Sequence, residues 1–172
     1  AMTGCAKDYS YERQPQDSIP IIPIVNPSVL FSSCTLCNAN NPLPDSAWSF
    51  KVDQVFFCGV AEKAIITLER SSFTFFGPSS CSADSGFIAS VYLSQPLTSS
   101  KTNVVAARVA FYYYDRIAPS YVLISRTTDQ FSLTIEAYDH QTGTATGKFE
   151  GFAFTENSVR KTVEGGKFRI RL

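Results

Sequence analysis

Hydrophobic and polar residues alternate along much of the chain after residue 46. The alternation is clear in residues 47–52 and again in residues 167–172, where Phe168, Ile170 and Leu172 are separated by basic residues. Alternation at every second position is typical of strands that bury one face. No segment shows the period of about 3.6 residues that marks an amphipathic helix. The pattern therefore predicts a chain of short β-strands.

Segments rich in glycine, proline, serine and aspartate separate the predicted strands. The strands cover residues 47–52, 55–57, 64–68, 73–76, 86–93, 104–114, 121–125, 131–138, 144–154 and 167–172. Asp53 and Gln54 join the first two in a tight hairpin turn, although Gln54 stands where glycine is more usual. Residues 77–80 and 164–166 are predicted turns. This arrangement predicts an all-β fold, either an antiparallel β-sandwich or a flattened barrel.

Prolines set the first 33 residues apart from this body. They recur at Pro15, Pro20, Pro23 and Pro27, and proline both fixes its own φ and disfavours helix at the residue before it. We therefore predict a proline-rich extended tether in residues 6–33. Its apolar part, Ile21 to Leu30, is expected to lie along the domain as an added edge strand, where proline is tolerated. Residues 34–172 are the predicted β-sandwich domain.

The segment Met2-Thr3-Gly4-Cys5 resembles the end of a bacterial lipoprotein signal peptide. This resemblance implies that residues 1–4 are a signal remnant and that Cys5 carries a lipid anchor, with the membrane as its partner. Ala6-Lys7-Asp8 also partly resembles the signal that sends lipoproteins of the Bacteroidota to the cell surface, but no second acid follows Asp8. The expected location is the outer membrane, on the cell surface or the periplasmic face.

Composition narrows the range of partners. Fifteen basic and fifteen acidic side chains cancel, which argues against a nucleic-acid partner. Fourteen Phe and eight Tyr favour strands. No apolar run reaches the roughly 18 residues that a membrane helix needs, so the body is expected to be soluble.

Several segments near the C-terminus carry a second resemblance. Residues 131–135, Tyr138-Asp139, residues 142–151 and residues 165–168 resemble the C-terminal hairpins of small secreted lipoproteins of unknown function from the Bacteroidota. The hairpin around Trp48 fits the same pattern. The resemblance implies a β-sandwich in the cell envelope, and its motifs carry no chemistry.

The four cysteines of the body allow three interpretations: two disulfides, a metal site, or a redox-active Cys34/Cys37 pair. Cys34-x2-Cys37 is half of a zinc ligand set, but Cys58 and Cys81 do not form a second knuckle. A redox pair is expected at a helix N-terminus, and none is evident. An oxidising compartment favours disulfides. Among the three possible pairings we prefer the bonds that link the leader to the body, with Cys34 or Cys37 joined to Cys58 and the other to Cys81. Such bonds stabilise by ~3 kcal/mol or more each.

No catalytic residue or cofactor is predicted. The single histidine, His140, lies in the predicted turn that ends at Gly143, so neither a Ser-His-Asp triad nor a histidine metal motif can be assembled. Carboxylates are scattered, and Asp53, Asp84 and Asp139 fall in predicted turns. The sequence does not decide whether two of them converge as in a glycosidase, so a small secreted hydrolase stays the least favoured alternative.

The run Phe111-Tyr112-Tyr113-Tyr114 provides the candidate binding residues. On a strand one pair faces the core and the other faces outward. An outward pair of Tyr112 and Tyr114, joined by Tyr121 or Tyr92, would form an aromatic platform for a glycan or a protein partner. The alternative is cross-strand packing under the tether. We therefore predict a non-catalytic binding lipoprotein, or else a structural or accessory subunit of an envelope assembly that uses an exposed strand edge.

Overall fold

The computed structural model describes residue 31 and residues 33–38, 43–115 and 122–172. The predictions for Cys5, for Ile21 to Leu30 and for Tyr121 lie outside these residues. Within the described part of the chain, no helix is long and apolar enough to cross a membrane.

The described residues form one antiparallel sheet of 11 strands. The strands are β1 (Ala47–Val52), β2 (Val55–Val60), β3 (Lys63–Ile66), β4 (Ser72–Pro78), β5 (Ser85–Tyr92), β6 (Lys101–Val105), β7 (Arg108–Asp115), β8 (Leu123–Ser125), β9 (Phe131–Asp139), β10 (Thr144–Phe154) and β11 (Arg160–Arg171). The predicted all-β antiparallel fold is confirmed. The sheet curls around its core like part of a barrel, so both walls of the fold belong to the same sheet.

Strand order along the sheet is β2-β1-β11-β10-β8-β7-β5-β4-β3. The sheet branches at β10 because this strand is long enough to have two neighbours on one side. Its Thr144–Gly151 part pairs with β9, and Ala153 and Phe154 pair with β8. Strand β6 extends the branch by pairing with β9.

The core lies inside the curl and is mostly aromatic. Inward positions alternate along the strands as the sequence pattern predicts, so the largest side chains are shielded from solvent. Phe50 stacks on Phe57 at a centroid distance of 4.8 Å, and Trp48 stacks on Phe87 at 5.1 Å. Burying each such side chain stabilises the fold by roughly 1.5–3 kcal/mol. The most completely buried large side chains are Trp48, Phe50, Phe73, Phe75, Phe87, Phe111 and Phe168.

The single strand predicted for residues 104–114 is wrong, because the chain forms β6 and β7 there. The Ala106 N–H donates to the Leu133 carbonyl at 2.9 Å, and the next N–H, of Ala107, donates to the Tyr92 carbonyl at 2.8 Å. Two consecutive residues thus bond to different neighbouring strands. The chain crosses from β9 to β5 here without glycine or proline, so the sequence has no turn signal to reveal it.

The predicted turn at residues 164–166 is also wrong, since β11 continues through it. Gly165 has a φ of 57°, and the pairing of β1 with β11 shifts register between Ser49 and Lys51. These features are those of a β-bulge. A Cβ at Gly166 would overlap the carbonyl oxygen of Phe149, so glycine is needed for the close approach of β10. The two glycines let one long strand bend with the curling sheet.

The hairpin turn at Asp53-Gln54 is confirmed. Asp53 has a φ of 49° and Gln54 a φ of 67°, the left-handed pair that a two-residue hairpin requires. The Lys161 ammonium group bonds to the Asp53 carboxylate and holds the turn against β11. Gln54 adopts this conformation at a cost of roughly 1–2 kcal/mol relative to glycine.

Candidate functional site

The two sides of the curled sheet meet where β2 approaches the end of β4. Gly59 forms an isolated antiparallel bridge with Ser79, and the Ser80 N–H donates to the Cys58 carbonyl at 2.9 Å. A Cβ on Gly59 would overlap both the Pro78 carbonyl and the Trp48 ring. We call this contact between residues 58–59 and residues 78–80 the seam. It closes the sheet through close backbone approach and very few ladder hydrogen bonds.

The four body cysteines lie across the seam. Cys34 is at disulfide distance from Cys81, and Cys37 from Cys58, with Cα–Cα distances of 6.0 and 5.4 Å. This pairing fits the predicted scheme, in which one of Cys34 and Cys37 joins Cys58 and the other joins Cys81. Because Cys58 is on β2 and Cys81 follows β4, the segment 34–37 connects both sides of the seam.

A tight turn brings all four sulfurs together in what we call the cysteine cluster (Cys34, Cys37, Cys58 and Cys81). The Cys37 N–H donates to the Cys34 carbonyl at 3.1 Å. The Cys37 and Cys81 sulfurs, which belong to different pairs, are 3.5 Å apart. Cys37 is buried and Cys81 is exposed, so the cluster reaches from the protein interior to solvent.

Two clefts of about 380 and 360 Å³ lie beside the cysteine cluster. The larger is lined by Cys37, Cys58 and a surface ion pair in which Lys51 Nζ is 3.0 Å from Glu164 Oε2. The carboxylate of Glu164 therefore already has Lys51 as its partner. The histidine of the chain is not among the lining residues. The clefts offer no paired nucleophile and base.

Strand β7 displays its tyrosines as predicted. Phe111 and Tyr113 are buried in the core, with 1% and 6% of their surface exposed, whereas Tyr112 and Tyr114 are half-buried on the outer face. The rings of Tyr112 and Tyr114 are 6.2 Å apart at an interplanar angle of 31°. A Cβ at Gly86 would overlap the Tyr114 hydroxyl, so this glycine makes room for the ring on the sheet surface.

Tyr112 is the centre of a row of apolar side chains that crosses five strands. In register, Phe76 is opposite Ile88, Ile88 opposite Tyr112, Tyr112 opposite Ile124, and Ile124 opposite Phe154. We call these five residues, together with Tyr114 beside Tyr112 on β7, the aromatic row. With neighbouring strands 4.7–4.9 Å apart, the row is about 19 Å long, and its end at Phe154 is buried under Arg126. The sequence predicts Tyr112 and Tyr114 but not the other members, because those are neighbours only through strand register.

The outer face formed by β1, β10 and β11 is charged instead. Arg169 is 2.9 Å from Asp45, and Lys148 is 3.9 Å from Glu136. Lys167, Arg169 and Arg171 are exposed while Phe168 and Ile170 between them are buried. The C-terminal basic residues therefore form the solvent face of a strand, as their spacing predicts.

His140 is in the predicted turn, where Gly143 has a φ of 70°, but it has a partner that the sequence did not reveal. Its Nδ1 is 3.0 Å from the hydroxyl of buried Tyr138. That hydroxyl also accepts a hydrogen bond from Arg70, whose Nε donates to the Leu97 carbonyl at 2.7 Å. The Tyr138 hydroxyl thus bonds both to Arg70 and to His140. The network connects the loop before β4, the loop before β6 and the turn after β9.

Two side chains in the described part have a shifted pKa, and both shifts lead away from neutral pH. Burial raises the pKa of Tyr113, and hydrogen bonds from Ser79 and Ser85 partly oppose this. The Gln141 N–H, which donates to Asp139 at 2.9 Å, lowers the pKa of that carboxyl group. A general acid or base is most effective when its pKa is near the working pH. These groups therefore give no support to acid–base catalysis.

Comparison of the chain with protein-family models, with curated proteins and with solved structures gives no match.

Proposed function

We propose that this protein is a non-catalytic lipoprotein of the cell envelope that binds a glycan or a protein partner through the aromatic row. The observation that carries the proposal is the outward position of Tyr112 and Tyr114, side by side on β7. Tyrosine presents a flat apolar ring for stacking and a hydroxyl for hydrogen bonding, so it suits partners that are part apolar and part polar.

The surroundings of the two tyrosines support this use. Ile88 and Ile124 flank Tyr112 on the neighbouring strands, which makes the surface continuous rather than a single exposed ring. Contiguous apolar surface with a polar rim marks interaction sites on soluble proteins. Tyr121, the third predicted contact residue, lies outside the described part of the chain and stays a prediction.

Binding by a variant with Tyr112→Ala and Tyr114→Ala tests the proposal. The wild-type chain is first applied to a glycan array and to envelope extracts, and the strongest partner is then titrated with each variant. We expect at least a tenfold loss of affinity, because a stacked aromatic contact contributes roughly 0.5–1.5 kcal/mol beyond its area.

Tyr92→Ala is the matched control. Tyr92 is 40% exposed on the outer face of β5 and stacks under Arg108 at 4.2 Å, outside the aromatic row. It should bind as the wild type does. Unchanged binding by the double variant, or an equal loss with Tyr92→Ala, would refute the aromatic row as the binding surface.

The lipid anchor on Cys5 is a separate part of the proposal and has its own test. Cys5→Ser should abolish incorporation of a labelled fatty acid when the chain is expressed behind a lipoprotein export signal in a Gram-negative host. Labelling of the variant equal to that of the wild type would exclude lipidation at Cys5.

The alternative role, as a subunit of an envelope assembly, gains support from the edge strand β3. Among the described strands β3 pairs only with β4, and Ile65 on this strand is 51% exposed. The pairing of the edge strand β6 is interrupted at Asn103, which has a φ of 54° and is skipped in the pairing with β9. Strand β3 is therefore the better site for addition of a partner strand.

Ile65→Lys tests this alternative, because lysine on an edge strand discourages strand addition. A partner that co-purifies with the wild-type chain in detergent should be lost from this variant. Val105→Lys on the β6 edge is the control, and equal effects of the two substitutions would argue against strand addition at β3.

A further inference from the structure

We propose that the chain, once its cysteines are reduced, binds one Zn²⁺ ion through the four thiolates of the cysteine cluster. This metal site is independent of the aromatic row, so the proposed binding function can fail without affecting it. The two chemical states belong to two environments: cysteine pairs in an oxidising compartment, and thiolates wherever reductant is present.

The two cysteine pairs lie close enough to surround one ion once they are opened. In a tetrahedral thiolate site with Zn–S distances of about 2.3 Å, the sulfurs are about 3.8 Å apart. The Cys37 and Cys81 sulfurs, which belong to different pairs, are 3.5 Å apart. Within each pair the sulfurs are too close for two ligands, so reduction comes first, and side-chain rotation then separates them while the Cα atoms stay 6.0 and 5.4 Å apart.

Cys58 supplies the fourth ligand. Its Cα is 5.4 Å from that of Cys37, with which it is paired, and opening the pair frees its sulfur to turn toward the other three. The backbone of Cys58 is held in place by the Ser80 N–H at 2.9 Å and by pairing with Ser49. The backbone bonds of the seam therefore keep Cys58 beside the end of β4 when the covalent links are absent, and the ion takes over the role of the links in holding the segment 34–37 there.

The ligand set and its surroundings favour zinc. Soft thiolates in a tetrahedral set select Zn²⁺ over hard cations such as Mg²⁺ and Ca²⁺. The Cys34-x2-Cys37 spacing, closed by the hydrogen bond from the Cys37 N–H to the Cys34 carbonyl at 3.1 Å, directs two ligands to one side. Exposed Cys81 gives the ion a route in from solvent.

The chemistry balances with an external dithiol as reductant. Each cysteine pair accepts two electrons and two protons from one dithiol, which becomes a disulfide. Four thiols and one Zn²⁺ then give a tetrathiolate complex of net charge −2 and release four protons. Two external disulfides reverse the reaction: each accepts two electrons from a pair of thiolates and, with two protons, becomes two thiols, so the two cysteine pairs form again and the ion is released.

Zinc titration of the full-length chain in a Cys5→Ser background tests this site, because the remaining thiols are then those of the cluster. The chain is reduced with a phosphine, the phosphine is removed under argon, and Zn²⁺ is added. We expect a 1:1 complex by native mass spectrometry, protection of four cysteines from alkylation, and a Co²⁺ spectrum with the charge-transfer intensity of four thiolates. The non-reduced chain should bind no ion.

Cys81→Ser should lower Zn²⁺ affinity at least tenfold and reduce the protected cysteines to three, whereas Ser80→Ala beside it should change neither. These readouts do not require the reduced apo-chain to be folded, since they measure the complex itself. The proposal is overturned if no 1:1 complex forms, if only the two cysteines of the Cys34-x2-Cys37 turn are protected, or if Cys81→Ser binds as tightly as the parent.

Discussion

The seam and the β10–β11 ladder join neighbouring parts of the same sheet in different ways. Strands β10 and β11 pair through a long register that runs from Thr144 opposite Arg171 to Phe154 opposite Arg160. At the seam, β2 and the end of β4 share one isolated bridge, and two cysteine pairs lie across it. A ladder is stabilised by many cooperative hydrogen bonds, whereas the seam depends on a few close contacts and on cross-links. The difference indicates that the curled sheet is weakest where it closes.

Removing one cross-link is expected to lower the stability of the seam more than any other change. The double substitution Cys37→Ser and Cys58→Ser is expected to lower the free energy of unfolding by ~2–5 kcal/mol, because the cross-link no longer restricts the unfolded chain. Urea unfolding of the non-reduced protein measures the loss. Hydrogen exchange should accelerate first in β2 and at the end of β4, and equal acceleration in β10 and β11 would contradict a weak seam.

The next largest effect on stability is expected from adding a methyl group at the seam or in the β10–β11 ladder. Gly59→Ala places a Cβ against the Pro78 carbonyl and the Trp48 ring at the seam, and Gly166→Ala places one against the Phe149 carbonyl in the ladder. Each overlap is expected to cost ~1–3 kcal/mol. Gly59→Ala should speed amide hydrogen exchange locally at the seam, while Gly166→Ala should speed it throughout the sheet by favouring global unfolding. Unchanged hydrogen exchange at the seam in Gly59→Ala would show that the sheet closes without this contact.

The hairpin that leads into β2 offers a stabilising change. Gln54 holds a φ of 67°, and glycine adopts this conformation without steric cost. Gln54→Gly should therefore raise the free energy of unfolding by about 1 kcal/mol. Asp53→Gly is the control, because it also relieves a left-handed residue, with a φ of 49°, but removes the ion pair with Lys161. Asp53→Gly should raise the free energy of unfolding by less than Gln54→Gly does. An equal increase would mean that the ion pair contributes nothing to stability.

The smallest effect concerns pH at the β9–β10 turn, next to the ladder. The pKa of Asp139 is lowered in the folded chain by the Gln141 N–H. A carboxyl group with a lowered folded pKa stabilises the fold above its ordinary pKa, and this stability is lost as the pH falls through the folded value. Asp139→Asn keeps an acceptor but removes this dependence. Stability curves of the two proteins from neutral pH down to about pH 2 should converge in acid, and parallel curves would contradict the assignment.

Much of the local structure follows from the sequence because strand alternation and turn chemistry act over short distances. The alternation along β7, with Phe111 and Tyr113 in the core and Tyr112 and Tyr114 half-buried on the other face, is confirmed, as is the turn at residues 53–54. The structure places Cys34 at disulfide distance from Cys81 and Cys37 at disulfide distance from Cys58, which agrees with the predicted scheme. The lipid anchor, the location in the envelope and the binding of a partner stay predictions.

The sequence itself thus determined which residues face the core, because alternation fixes the side of every residue within a strand. Only the tertiary structure decided which strands are neighbours. Register placed Ile88 and Ile124 beside Tyr112, and placed Phe76 and Phe154 one strand further out on either side. The same long-range packing brought Cys81 next to Cys34 and closed the sheet at the seam. These contacts join residues far apart in the chain, and no local pattern specifies them.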